Sequence, residues 1–347
     1  MSRIYLDHAA TSPLRPEARA AMEEGFALWA NPSSPHAEGR RARAALEEAR
    51  TRVHAALGWE GEVIFTSGAS EALAIGLGRA RVERRLASAV EHDAVMRAAP
   101  DAELLPVTRG QLNLEALQAA LAGPGRVVLA LQSVNSETGT VLIPREGTPA
   151  LAMVREAGGL LLADCSQSAG RVPLPDADMV VVSAHKLGGP IGVGALLVRD
   201  LAMLEPMGGH EKGYRAGTEN LPGALGFAAA LEAGGVETWP TTYPDRFELC
   251  HLLRRRGEVL RLGPQSSHVI AVACEGLSAQ AALIRLDALG FAVSAGSACS
   301  SGSLKPSRVL KAFGVDEETA RRTIRVSLGW STTVEEIDSF AEAWAAL

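Results

Sequence analysis

The sequence predicts an α/β fold in which a mostly parallel sheet is wrapped by helices, followed by a smaller α+β unit. Three observations carry this. Short apolar runs at 86–90, 104–107, 127–131, 160–163 and 179–182 alternate with helical patterns, a βαβα rhythm. The run at 179–182 is apolar on both faces, as strands of a parallel sheet are. Polar residues gather just after these runs, at the strand ends where open α/β sheets hold ligands. At 347 residues the chain can bury a large domain and a smaller one.

Residues 1–14 read as an extended arm with a turn at Thr11-Ser-Pro13. Ala18, Met22, Phe26 and Trp29 have helical spacing over 16–29. Asn31-Pro-Ser-Ser-Pro35 is a loop, and a charged helix follows over 36–57. A strand at 63–65 meets a tight turn at Gly68, and Ala69-Ser70 open the next helix. Helix N–H groups, small residues and a hydroxyl meeting at one spot suit an anion, although an ordinary N-cap looks the same. His92 follows the 86–90 strand, Asn135 and Glu137 follow 127–131, and Asp164 and Gln167 follow 160–163. Residues 206–223 are glycine-rich and irregular, and a long helix starts near Pro222. Trp-Pro-Thr-Thr-Tyr-Pro at 239–244 reads as a connector. Beyond it come elements at 269–273, 279–289, 291–294, 307–313 and 323–327, then a last helix from Val334. The expected division is a large domain over 15–232 and a small one made of 1–14 and 233–347.

A net charge of −6 without a basic stripe argues against a nucleic-acid partner. Arg40-Arg41-Ala-Arg43 and Arg254-Arg255-Arg256 read as solvated helix faces. The N-terminus reaches Asp7 with no apolar signal region, and no apolar run is long enough for a membrane span, so a cytoplasmic protein is expected. Cys165, Cys250, Cys274 and Cys299 form no Cys-x-x-Cys pair, so neither a disulfide framework nor a closed zinc site is indicated.

The chain holds four lysines, Lys186, Lys212, Lys305 and Lys311, against thirty arginines. Lys186 follows the 179–182 strand in Ser183-Ala-His-Lys186 and precedes a Gly-Gly-Pro turn. A lysine where arginine is the habit suggests an amine that loses its proton and attacks a carbonyl, which a guanidinium cannot do. Pyridoxal phosphate is the cofactor such an amine would hold. Asp164 could keep its ring nitrogen protonated or cap a helix. His92 could stack on the ring, shuttle protons or be structural. Asn135 and Gln167 could touch the ring hydroxyl or simply form turns. Ser70, Ser183, His185 and the helix N–H groups beginning at Ala69 could cup the phosphate.

Taken in order along nearly the whole chain, the motifs resemble those of NifS/IscS-like cysteine desulfurases, class V members of the fold-type I pyridoxal-phosphate enzymes. They are Tyr5-Leu-Asp-His-Ala-Ala-Thr11, Asn31-Pro-Ser-Ser34, Phe65-Thr-Ser-Gly-Ala-Ser-Glu71, Glu91-His92 and Val134-Asn135. Asp164-Cys-Ser-Gln167, Ser183-Ala-His-Lys186, Arg215-Ala-Gly-Thr218, Gly296-Ser-Ala-Cys299 and Ile324-Arg-Val-Ser-Leu-Gly329 complete the set. The resemblance implies a seven-stranded, mostly parallel sheet in the large domain. It also implies that Lys186 bonds the cofactor, Asp164 pairs with the ring nitrogen, His92 stacks on the ring and Gln167 touches the ring hydroxyl. Ser70, Ser183 and His185 would hold the phosphate, and Thr218 would reach the phosphate of a neighbouring subunit, which implies a homodimer. Asn135 and Arg325 would bind the substrate carboxylate, an anion that an arginine fork suits.

Cys299 lies in ten small residues, Ser294-Ala-Gly-Ser-Ala-Cys-Ser-Ser-Gly-Ser303, a composition expected of a mobile arm. A nucleophile that must meet substrate and then deliver its cargo needs that freedom. The implied reaction has Lys186 remove the Cα proton of L-cysteine, after which the Cys299 thiolate attacks the substrate sulfur. Alanine leaves, and a Cys299 persulfide serves a sulfur-acceptor or iron–sulfur scaffold protein. Ser70 stands where the family often has Thr, and Cys165 replaces a small residue, either as a second reactive thiol or, the preferred reading, as a buried inert cysteine. Ala72-Leu-Ala-Ile75 replaces an asparagine-containing stretch, and the chain is shorter than most relatives. The alternatives are a class V aminotransferase or selenocysteine lyase, which would have no use for Cys299, and a non-catalytic sulfur-transfer scaffold, which need not keep Lys186, Asp164 and Cys299 together.

Overall fold

The computed structural model describes residues 3–296 and 307–347. Seven strands form the central sheet, in the spatial order Glu62–Thr66, Gly194–Val198, Met179–Ser183, Leu160–Asp164, Val127–Gln132, Arg84–Ser88 and Glu103–Leu105. Gly194–Val198 runs antiparallel to both its neighbours, and the other pairings are parallel. The three strands Val127–Gln132, Leu160–Asp164 and Met179–Ser183 are buried at every position, which is why they read as unbroken apolar runs.

Alternate residues of these strands feed two cores, as the period of two requires. Leu129, Leu131, Leu161, Val180 and Val182 face one, with side chains of helices Ala37–Leu57 and Leu221–Glu232. Val128, Ala130, Leu160, Leu162 and Val181 face the other, with helices Ala69–Gly78 and Asp93–Ala98. A separate cluster joins Leu6, Trp239 and Leu249 to Ile270, Val326, Phe340 and Trp344. It packs against an antiparallel sheet ordered Gly257–Val259, Val269–Cys274, Thr323–Ser327, Ser294–Ala295. The arm strand Ile4–Tyr5 pairs in parallel with Phe291–Ala292, so the first residues of the chain are tied to its last third.

Several expectations change. The arm turns at His8–Ala10, where Asp7 O accepts from the N–H groups of Ala10 and Thr11, rather than at Thr11-Ser-Pro13. The 239–244 connector ends early, because Tyr243–Leu253 is a helix with a Thr242/Asp245 capping box and a proline in its first turn. Arg254 caps that helix and Arg255-Arg256 lie beyond it, so this run is not a helix face. The 291–294 segment splits between two sheets. Val309, in helix Arg308–Ala312, packs into the core of the large sheet rather than with the cluster around Trp344. Among the described residues no helix is long and apolar enough to cross a membrane.

Candidate active site

The carboxyl ends of the central strands open on a cleft of about 740 Å³. Strand Met179–Ser183 runs into a single 3-10 turn, Ala184–Lys186, that brings Ser183, His185 and Lys186 to its wall. The turn is braced from the N-terminal arm: Ser12 N–H donates to His185 O at 2.8 Å and Ser12 Oγ to Lys186 O at 3.0 Å. Gly188 follows at φ 92°, and a Cβ there would sit 2.6 Å from Arg15 Cγ, so two separate constraints require glycine.

Asp164 ends the neighbouring strand and is 7% exposed. Its Oδ1 accepts from Ser166 N–H at 2.9 Å and from Ser166 Oγ at 2.5 Å, which fixes the plane of the carboxylate. His92 caps helix Asp93–Ala98 by accepting the Ala94 N–H on Nδ1 at 3.1 Å. Burial, and then the charge of Lys186, hold its pKa below the ordinary value. The neutral ring therefore carries its proton on Nε2. His185 Nδ1 lies 3.1 Å from Thr11 Oγ1, and burial with Lys186 pushes its pKa down to about 4.

At one end of the cleft, strand Glu62–Thr66 turns at Gly68 into helix Ala69–Gly78, bringing Ala69 and Ser70 to the wall. Gly68 has φ 143°, a conformation only glycine holds without strain. Glu71 in the first helical turn accepts the Ser67 N–H and ion-pairs with Arg215 at 3.1 Å. Gln167 also lines the cleft and donates through Nε2 to Ala9 O at 2.8 Å. Arg325, on strand Thr323–Ser327, enters from the other side. It donates to Ser136 O at 3.0 Å and pairs with Asp7 at 2.7 Å, while its buried Nε has no partner among the described residues.

Thus Ala69, Ser70, His92, Asp164, Gln167, Ser183, His185, Lys186 and Arg325 share one cleft. Asn135 does not line it. Its Nδ2 donates to Val90 O and Gln132 Oε1, and its Oδ1 accepts from Glu137 N–H, Thr138 N–H and Thr138 Oγ1. These bonds shape the 135–140 loop and tie it to Val90 and Gln132, where a contact with ring or substrate was expected. Thr218 is exposed and outside this cleft. Cys299 lies outside the described residues. Gly296 and Ser307, the described residues on either side of its segment, both line the cleft. Cys165 is fully buried with its thiol pushed up to about 12, an inert cysteine rather than a second reactive one.

Two acids went unassigned in the sequence. Asp7 holds Arg325 and accepts from Ser294 Oγ at 2.6 Å, joining partners some three hundred positions apart that no local pattern reveals. Glu137 accepts from Ser307 Oγ at 2.5 Å, and burial pushes its pKa up to about 7. Its place just after a strand was the available signal. An amine, a fixed carboxylate, a neutral imidazole, an anion cradle and a guanidinium in one cleft can bind a phosphorylated carbonyl cofactor and an amino acid. Among the described residues no cluster of His, Cys, Asp and Glu could hold a metal ion.

Residues 4–340 match the family described as Aminotransferase class-V. The chain is 39% identical to a cysteine desulfurase of Cereibacter sphaeroides, with 99% of this chain and 95% of that one covered. A solved NifS-like protein superposes with a TM-score of 0.87 at 27% identity, covering 99% and 98% of the two chains. SspA in complex with cysteine gives 0.80 at 27% identity, covering 95% and 99%. The chain belongs to the class V aminotransferase family, whose members are pyridoxal-phosphate enzymes, and its fold is that of the NifS-like proteins.

Proposed function

We propose that this chain is a cysteine desulfurase that moves the sulfur of L-cysteine to Cys299 and releases L-alanine. The observation that carries the reading is the meeting of Lys186, Asp164, His92 and Arg325 in one cleft that Gly296 and Ser307, either side of the Cys299 segment, also line. The donor set suits pyridoxal phosphate. Ser70, Ser183, His185 and the first N–H groups of helix Ala69–Gly78 would hold the phosphate, Asp164 the ring nitrogen and Lys186 the aldehyde carbon. When bound, the cofactor supplies a sink for negative charge developing at the substrate Cα.

Lys186 takes the Cα proton. Asp164, oriented by Ser166, keeps its charge directed at one position. His92 presents a neutral face and an Nε2–H, so it can stack on the ring and donate a hydrogen bond from Nε2, while Nδ1 is held by the Ala94 N–H. Arg325, which lines the cleft, takes the substrate carboxylate with its guanidinium. The Cys299 thiolate attacks the substrate sulfur as the Cβ–S bond breaks. The electron pair of that bond stays with the substrate carbon, which takes up a proton to leave as alanine, and Cys299 keeps the sulfur as a persulfide for a sulfur-acceptor or iron–sulfur scaffold protein. Exposed Thr218, together with Ile191 at the cleft and 79% exposed, supports a homodimer in which Thr218 reaches the partner's phosphate. A monomer by sedimentation would remove that part.

Sulfide and alanine release from L-cysteine, measured with an excess of a dithiol reductant that reduces the persulfide to sulfide, tests the function. The wild type should yield both in equal amounts. Cys299→Ser should keep the visible cofactor band and lose sulfide release at least a hundredfold. Full turnover in that variant would rule out Cys299 as the acceptor.

A further inference from the structure

Arg171 follows the strand that ends in Asp164 and is 5% exposed. It forms no ion pair with a carboxylate among the described residues, and the like charge of Arg15 acts on it. Carbonyl oxygens hold it instead. Nη1 donates to Gln167 O at 2.7 Å and Gln167 Oε1 at 3.3 Å, and Nη2 donates to the carbonyl of Lys186. The Trp239 ring lies 5.9 Å from Cζ. Burying a guanidinium without a counter-charge is costly, and a neutral side chain would serve packing alone at least as well.

We propose that Arg171 is a positioning residue for Lys186, fixing the Lys186 and Gln167 carbonyls and keeping an unneutralised positive charge behind the lysine that helps its side-chain nitrogen shed a proton. This rests on the reading that Lys186 carries the cofactor. A positive neighbour disfavours the protonated form of a nitrogen, so removing it raises the pH at which that proton leaves. Burial and Arg15 push Arg171 down to about 10, so it stays charged through the neutral range. Lys186 acts on His92 and His185, with Asp164 also acting on His92; around Arg171 stand Arg15, His8 and His268, and Arg246 shares its Trp239 ring. All four histidines are held below the ordinary 6.5 and stay neutral above it.

The test is a pH titration of the visible cofactor band in the holoenzyme, for wild type, Arg171→Lys, Arg171→Met and Arg171→Gln. The methionine variant should raise the midpoint by about one pH unit, a tenfold change in proton affinity. The lysine variant should stay within a few tenths of wild type. If the methionine variant does not fold, the glutamine variant, which keeps a donor but no charge, decides by the same shift. A folded, loaded methionine or glutamine variant with an unchanged midpoint overturns the proposal, whatever its thermal stability. A wild-type cofactor not attached at Lys186 overturns the underlying reading as well, and is visible before any Arg171 variant is made.

Discussion

Glu211→Gln should destabilise the fold by about 3–5 kcal/mol, because it breaks a buried ion pair by neutralising one side. Glu211 grips Arg50 with both oxygens, at 2.7 Å and 3.0 Å, and accepts the Phe65 N–H at 2.8 Å. The two side chains are 10% and 0% exposed, so water cannot take over the lost contacts. Glutamine keeps the shape but turns an NH2 group toward Arg50 or Phe65 N–H. Glu47, half-exposed at 3.1 Å, retains part of the charge compensation, which favours the lower end of the range. Equilibrium urea unfolding followed by circular dichroism reads the loss. Arg50→Met with Glu211→Leu should recover most of it, since a matched apolar pair removes the stranded charge. A loss under about 1 kcal/mol for the single change, or a double variant as unstable as the single, would show that no stranded charge is at stake. The pair also ties the 211–215 segment to strand Glu62–Thr66, and so supports the Arg215–Glu71 contact at the anion cradle.

Two further outcomes follow from buried groups near the cleft. Glu91 is fully buried, and burial raises its pKa to about 8, while its Oε2 has no partner among the described residues. The folded state thus binds this proton more tightly than the unfolded chain does. The associated stability is full below about 4.5 and is lost as pH rises through about 8. Glu91→Gln should therefore gain on wild type by about 4 kcal/mol at most between pH 5 and pH 9; a pH-independent difference in denaturant midpoint would contradict this. Gly329→Ala would drive a Cβ into the His8 ring, which Ser12 and Thr332 hold in place, at a cost of about 2 kcal/mol. An unchanged thermal midpoint would show that the ring can move aside.

The strands that carry the cleft were legible because they are buried on both faces, so the pattern needed no knowledge of their partners. Strand Gly194–Val198 was not, since a short Gly-Ala-Leu-Leu-Val run after a glycine-rich turn has no helix following it to complete a βαβ rhythm. Helix Tyr243–Leu253 was hidden by Pro244, a breaker in the interior of a helix but harmless in its first turn. Single residues at strand ends, such as Asp164 and Lys186, were readable from position. The tie of Asn135 to the Val90 carbonyl, the Asp7–Arg325 pair and the carbonyl cradle of Arg171 were not. Each depends on which distant backbone arrives beside it, and a one-dimensional pattern carries no such term.

The most direct measurement is borohydride reduction of the yellow holoprotein followed by peptide mapping. With only four lysines to distinguish, the cofactor adduct should fall on Lys186 alone. An adduct on Lys212, Lys305 or Lys311, or none on any lysine, would contradict it.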